Sequence, residues 1–169
     1  MTLRARNMRA PGGLDRALAA GVQMIADSAP PRVTPYEIAT LDEGDRNQIY
    51  RLAQQAKPGP FARQTHRLGT FLGIKQGGTL VAMAGQRLKL PGFTEISAVC
   101  VAPGHRGQGL AAALVSEMMH RIIAAGDQPF LHAYADNTAA IALYRRLSFR
   151  VRTRVQVSCW THASLAETG

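Results

Sequence analysis

Apolar residues along this chain come in two patterns: short runs bounded by glycine and proline, and longer stretches that repeat every three to four positions. Thr70–Lys75 and Thr79–Ala84 are runs of the first kind, and Gln76-Gly-Gly78 between them predicts a hairpin turn. Leu90-Pro-Gly-Phe93 turns the chain again into a strand over Thr94–Val101, and Pro129–Tyr134 reads as another strand. Leu110, Leu114, Met118 and Ile122, with Ala111 and Val115 beside them, repeat at helical spacing, and Gly126 is a plausible helix stop. Asn137 opens a second helix carrying Ala140, Ile141, Tyr144 and Leu147. Upstream, Tyr36–Leu41 predicts a strand, and Asp42-Glu-Gly-Asp45 opens a helix to about Gln55, its acids at the positive end of the dipole. Lys57-Pro-Gly-Pro-Phe61 predicts a loop. Leu14–Ile25 fits either a short helix or, around Val22–Ile25, a strand, and Ala29-Pro-Pro-Arg32 ends it. Arg150-Val-Arg-Thr-Arg-Val-Gln-Val157 alternates with period two, the pattern of a half-buried strand with arginines on its wet face.

The resulting order is antiparallel strands first, then strand–helix–strand–helix–strand. That predicts an α/β or α+β sandwich around a mixed sheet, with a right-handed parallel crossover from 95 to 135. No repeat or low-complexity segment interrupts it.

Length and composition add bounds. With 169 residues the chain is expected to form one domain, and 46% hydrophobic with 18% charged residues suits a globular protein. No apolar run approaches the ~20 residues of a membrane span. Arg4, Arg6 and Arg9 are not followed by an apolar core, so no signal peptide is expected. Cys100 and Cys159 fit neither a disulfide scaffold nor a zinc pattern, so no metal is expected and a reducing cytoplasm is the expected compartment. The net charge of +9 admits nucleic acid, an anionic surface or a small polyanion as partner. Nucleic acid is not expected, since the basic residues are not interleaved with aromatics, and no membrane partner is expected either. The densest basic cluster, Arg145, Arg146, Arg150, Arg152 and Arg154, reads as a solvated face or as the neighbour of an anionic ligand.

The chemistry concentrates at Val101-Ala-Pro-Gly-His-Arg-Gly-Gln-Gly-Leu-Ala111, a glycine-rich turn between a strand and a helix. The first helical amides lack intrahelical partners, and the dipole favours an anion there. Glycine lets a ligand approach the backbone, and Arg106 adds a forked cation. The turn lacks the Lys-Ser/Thr of a P-loop, and Gly107 and Gly109 are followed by Ala112 rather than the third glycine of a dinucleotide fingerprint. A strand-to-helix turn without a ligand is the other reading of the glycines alone.

Arg106-Gly-Gln-Gly109-Leu-Ala111 fits Arg/Gln-x-x-Gly-x-Gly/Ala, and so resembles the pyrophosphate loop of the GNAT N-acetyltransferase superfamily. Some thirty residues on, Asn137-Thr-Ala-Ala-Ile-Ala-Leu-Tyr144-Arg-Arg-Leu-Ser-Phe149 resembles that superfamily's second signature, Asn-x-x-Ala-x-x-Leu-Tyr-x-x-x-Gly-Phe. Two motifs in order and at this separation are far more specific than either alone. The resemblance runs from about 36 to 158, and residues 69–101 look most like the branch near glycine N-acyltransferases. Ser148 departs from the usual glycine, and a left-handed backbone there predicts a slightly altered turn.

The resemblance implies a GNAT-like, mostly antiparallel sheet flanked by helices, with a splayed parallel strand pair forming an acyl-CoA cleft. It implies an N-terminal segment over 1–35, a GNAT domain over 36–160 and a tail over 161–169. It implies direct acetyl transfer from acetyl-CoA, as co-substrate, to a small amine or amino-acid-like acceptor. A module that binds or senses acyl-CoA without turnover is the alternative. Arg106, Gly107, Gln108, Gly109, Leu110 and Ala111 would hold pyrophosphate. Val99, Cys100 and Val101 would meet the pantetheine arm along their main chain, and Asn137 would hydrogen-bond the cofactor. Tyr144 would protonate the leaving thiolate and Glu95 would act as base, with His132 and Asp136 as further candidates. Phe61, Arg63 and Phe93 would line the acceptor pocket. The family's habit allows a homodimer.

Overall fold

The computed structural model of the protein describes residues 14–32 and 34–162. Arg4, Arg6, Arg9 and most of the expected C-terminal tail lie outside the described residues.

Seven strands form one sheet in the order β2-β3-β4-β5-β6-β1-β7. They are β1 (Leu14–Ile25), β2 (Ala39–Leu41), β3 (Phe71–Gln76), β4 (Thr79–Leu90), β5 (Phe93–Val101), β6 (Gln128–Tyr134) and β7 (Arg150–His162). Three helices cover it: α1 (Arg46–Ala56), α2 (Leu110–Ala124) and α3 (Thr138–Arg146). All pairings are antiparallel except β5 with β6. This is the expected mixed sheet, and the chain between 95 and 135 makes the expected parallel crossover through α2.

Local chemistry explains the element ends. Asp42 and Asp45 form a capping box that leads through a 3-10 turn into α1. Gly77 and Gly78, at φ 55° and 78°, close the β3–β4 hairpin. Gly126 ends α2 at φ 84°, with the Asp127 amide reaching back to the Ile122 carbonyl. Ser148 holds the same left-handed backbone at φ 69°, and the Phe149 amide reaches the Tyr144 carbonyl.

Period-two alternation splits the sheet between two cores. Leu72 and Ile74 join Leu114, Val115, Met118, Met119 and Ile122 of α2, while Phe71 joins Ile49, Leu52 and Ala53 of α1. Tyr144, Leu147 and Phe149 extend the α2 core.

One open alternative is resolved and two expectations are revised. Of the helix or strand admitted over 14–25 the strand forms, and it lies between β6 and β7. The strand expected over 36–41 shortens to Ala39–Leu41, because Tyr36 and Ile38 pack on the α2 core from a loop. The alternation of β7 does not bury one face: Val151 is 40% exposed, since β7 is an edge strand and a bulge opposite Gln23/Met24 shifts its register.

Candidate active site

The parallel ladder between β5 and β6 ends at Ile96↔Leu131, although both strands continue. Beyond that pair they part, and a cleft of about 1090 Å³ opens between them. On the β4 side, two residues of β5, Ala98 and Val99, oppose one of β4, Ala84, between Ser97↔Gly85 and Cys100↔Met83. The extra residue is a bulge centred on Ala98, a non-glycine residue at φ 52°. Ser97 through Val101 therefore line the cleft, with main-chain groups released from the β6 ladder.

At one end of the cleft lies the glycine turn. Gly107 and Gly109 take φ 78° and 80°, and Gly109 caps α2 without any side-chain hydrogen bond. A Cβ on either glycine would meet nothing within 4 Å, so both face open space. His105, Arg106, Gly107, Gly109, Leu110 and Ala111 line the cleft, whereas Gln108 does not. Its carbonyl instead accepts a 2.5 Å hydrogen bond from the Tyr36 hydroxyl. A trans peptide points its C=O and N–H in opposite directions, so this contact also fixes the direction of the Gly109 amide.

Across the opening, Asn137 caps α3, its Oδ1 accepting from the Ala140 amide at 3.1 Å. Tyr144, about two turns further, lines the cleft and packs edge-on against Phe149 at 6.0 Å. Burial pushes its phenol up to about 12, so it stays protonated. Burial likewise pushes the Cys100 thiol up to about 12 against a smaller pull from Arg106, which makes it a poor nucleophile.

The other end of the cleft carries a row of polar side chains across five neighbouring strands. Arg87 of β4 grips Glu95 of β5 through Nε at 3.0 Å and Nη2 at 2.6 Å. His132 of β6 meets Glu95 through Nδ1 at 2.7 Å, and its Nε2 lies 3.2 Å from Nε2 of Gln23 on β1. Gln23 Oε1 accepts from Arg152 of β7 at 2.7 Å. Burial raises the Glu95 carboxyl, and the hydrogen bonds from His132 and Arg87 outweigh it, holding the group below the ordinary carboxylate value.

This row bears on the expectation that Glu95 acts as base. The residue is 1% exposed, is absent from the cleft wall and has both oxygens occupied. His132 and Arg87 are the members of that group that line the cleft, with Tyr134 beside them. Asp136 is not a lining residue. The expected acceptor residues sit elsewhere as well. Phe61 packs edge-on against Phe71 in the α1 core at 6.2 Å, because the loop folds back onto that helix. Arg63 stacks over the Tyr50 ring at 4.8 Å, and Phe93 is 38% exposed at the start of β5, outside the cleft. The neighbouring Ala56–Pro60 segment lines the cleft instead. Arg87, Gln23 and Tyr36 escaped the sequence reading, since each acquires its role from partners on other strands or loops. Only the polar Gln23 inside the apolar Val22–Ile25 run hinted at any of them.

A family model described as FR47-like protein matches residues 71–161. The chain belongs to the GNAT acetyltransferase superfamily. N-alpha-acetyltransferase RimI of Mycobacterium tuberculosis is 32% identical over 127 residues, covering 69% of this chain and 79% of that protein. A structure described as a GNAT-family acetyltransferase from Novosphingobium aromaticivorans superposes with a TM-score of 0.83 at 39% identity, covering 90% of this chain and 69% of that one. The ribosomal-protein-S18-alanine N-acetyltransferase from Escherichia coli shares the fold, with a TM-score of 0.63 at 22% identity over 73% of this chain and 92% of that one. GNAT membership accounts for the layout of the cleft: a glycine turn at one end, a parted parallel pair in the middle and a tyrosine-bearing helix on the far lip.

Proposed function

We propose that this GNAT acetyltransferase moves an acetyl group from acetyl-CoA to a primary amine, on an amino-acid-like molecule or a peptide terminus. The observation that carries the reading is the continuity of the cleft, which runs from the helix mouth at Arg106–Ala111, along the open edge of β5, to the polar row at Arg87 and His132.

The residues present fit acetyl-CoA. The uncapped amides of α2, two left-handed glycines and the Arg106 guanidinium suit a pyrophosphate. The released main chain of Val99, Cys100 and Val101 suits an extended amide-bearing arm, which would pair with it as an added strand does. The Asn137 side chain still has its amide hydrogens to donate. Bound acetyl-CoA supplies the acyl group as an activated thioester. A main-chain amide near the bulge can stabilise charge developing on a carbonyl oxygen. Tyr144 donates a hydrogen bond at the sulfur; with its phenol near 12 it gives up the proton only to a thiolate that burial makes equally basic.

For the acceptor, the RimI relative favours an alpha-amine, and the likeness of residues 69–101 to glycine N-acyltransferases favours a free amino acid. Release of CoA thiol from acetyl-CoA, measured with an alanyl peptide and with glycine, tests both. Amine-dependent thiol release supports transfer, and its rate with each amine identifies the class. CoA binding without release with either would favour an acyl-CoA sensing module.

A further inference from the structure

We propose that His132 is the general base of this cleft and that Glu95 is its positioning carboxylate, with Gln23 and Arg152 fixing the imidazole tautomer. The proposal rests on the acetyltransferase reading and deepens it.

A base must bring a lone pair within about 2.6–3.2 Å of the proton it takes. Glu95 fails that requirement, being 1% exposed with both oxygens receiving N–H donors. The His132 side chain is 28% exposed on the cleft wall. Its protonation pattern follows from the row. Arg152 donates to Gln23 Oε1 at 2.7 Å, so the end of Gln23 that faces His132 is the NH2 group. That group can only donate, so His132 Nε2 carries a lone pair and Nδ1 carries the hydrogen that Glu95 accepts at 2.7 Å. The lone pair is on the ring nitrogen away from the buried carboxylate. The Gln23 contact is the weakest in the row at 3.2 Å, and an incoming ammonium, being charged, is the stronger donor.

His132 Nε2 thus takes one proton from a substrate ammonium and later gives it to solvent. The freed amine forms its C–N bond to the acyl carbon as the C–S bond breaks. Tyr144 protonates the departing sulfur and is reprotonated at the expense of the second nitrogen proton, so one proton is released per transfer. The ionisable groups around the ring are Glu95 on β5, Arg87 on β4, Tyr134 on β6 and, through Gln23, Arg152 on β7.

The test uses the full chain with acetyl-CoA and an alanyl peptide, alongside acetyl-CoA hydrolysis without an amine, for wild type, His132→Gln and Glu95→Gln. His132→Gln should lower kcat about 10²-fold or more while CoA affinity stays within twofold. Glu95→Gln should lower kcat while KM for the peptide and CoA affinity stay within twofold. A purely structural Glu95 would weaken peptide or CoA binding along with the rate, which would overturn its assigned role. Nitrogen-15 NMR of the histidine rings, with His132 identified by its loss in His132→Gln, gives a readout that needs no acceptor. It should show the Nδ1–H tautomer at neutral pH. An Nε2–H tautomer, or a His132→Gln enzyme with the wild-type rate, would overturn the base while leaving the acetyltransferase reading intact. A wild type that binds CoA but releases no thiol in either arm would overturn both.

Discussion

Tyr144 separates binding from chemistry most cleanly at the residue scale. It is 7% exposed, lines the cleft and is kept protonated by burial. Tyr144→Phe removes only the hydroxyl and keeps the ring contact with Phe149. The expected outcome is a fall in turnover of about 10²-fold with CoA affinity and melting temperature close to wild type. Unchanged turnover, measured by thiol release, would remove Tyr144 from the mechanism. Tyr144, Asn137 and Arg106 all line the cleft, and the sequence picks them out because their positions are set by local spacing along a helix or a turn. Glu95 was named, but its surroundings were not. Its environment comes from Arg87, His132 and Gln23 on three other strands, and nothing within a few residues of Glu95 announces that it is buried and occupied.

Elements carry their own strain. The Ser148 turn ends α3 with φ 69°, a conformation that disfavours any residue with a Cβ by about 1–2 kcal/mol. Ser148→Gly relieves that strain at some cost in unfolded-chain entropy, for a net gain of roughly 1 kcal/mol and a rise of about 2–4 °C in melting temperature. A lower melting temperature would mean that the serine side chain makes a compensating contact. The helices and the β3–β4 hairpin were legible from period and punctuation. β1 was ambiguous because Leu18 is 51% exposed and Gly21 interrupts the run, so neither period is clean before Val22. β4 runs to Leu90, beyond the expected Ala84, because its polar second half pairs with β5 while exposed to solvent. Hydrogen bonding across strands, rather than burial, defines that half, and a single chain's pattern does not record it.

At the scale of the whole molecule, ion pairs join turn to turn, turn to sheet and strand to strand. Arg67, His66 and Arg46 hold the Glu43 carboxyl near 2, Lys75 holds Asp45 below its ordinary value, and His132 with Arg87 overcomes burial to do the same for Glu95. Each group binds fewer protons in the folded than in the unfolded chain between its lowered value and the ordinary one, 4.5 for glutamate. Their contribution is therefore full above that ordinary value and is lost as pH falls through the lowered ones. Melting temperature should drop steadily from about pH 5 towards pH 2; a flat profile would mean these pairs are equally formed in the unfolded chain. The sheet order itself was only half legible. Local turns specify β3–β4–β5, but the insertion of β1 between β6 and β7 is a pairing across more than a hundred residues.

The account stands or falls on the glycine turn as a CoA site, and melting temperature with CoA, acetyl-CoA, ATP and no ligand tests it directly. At about a hundred times its Kd a ligand adds roughly 2.7 kcal/mol, a shift of some 5–10 °C for a chain of this size. Stabilisation by CoA and acetyl-CoA but not by ATP is the predicted result. No shift with either thiol ligand would contradict the reading and leave the turn a purely structural joint between β5 and α2.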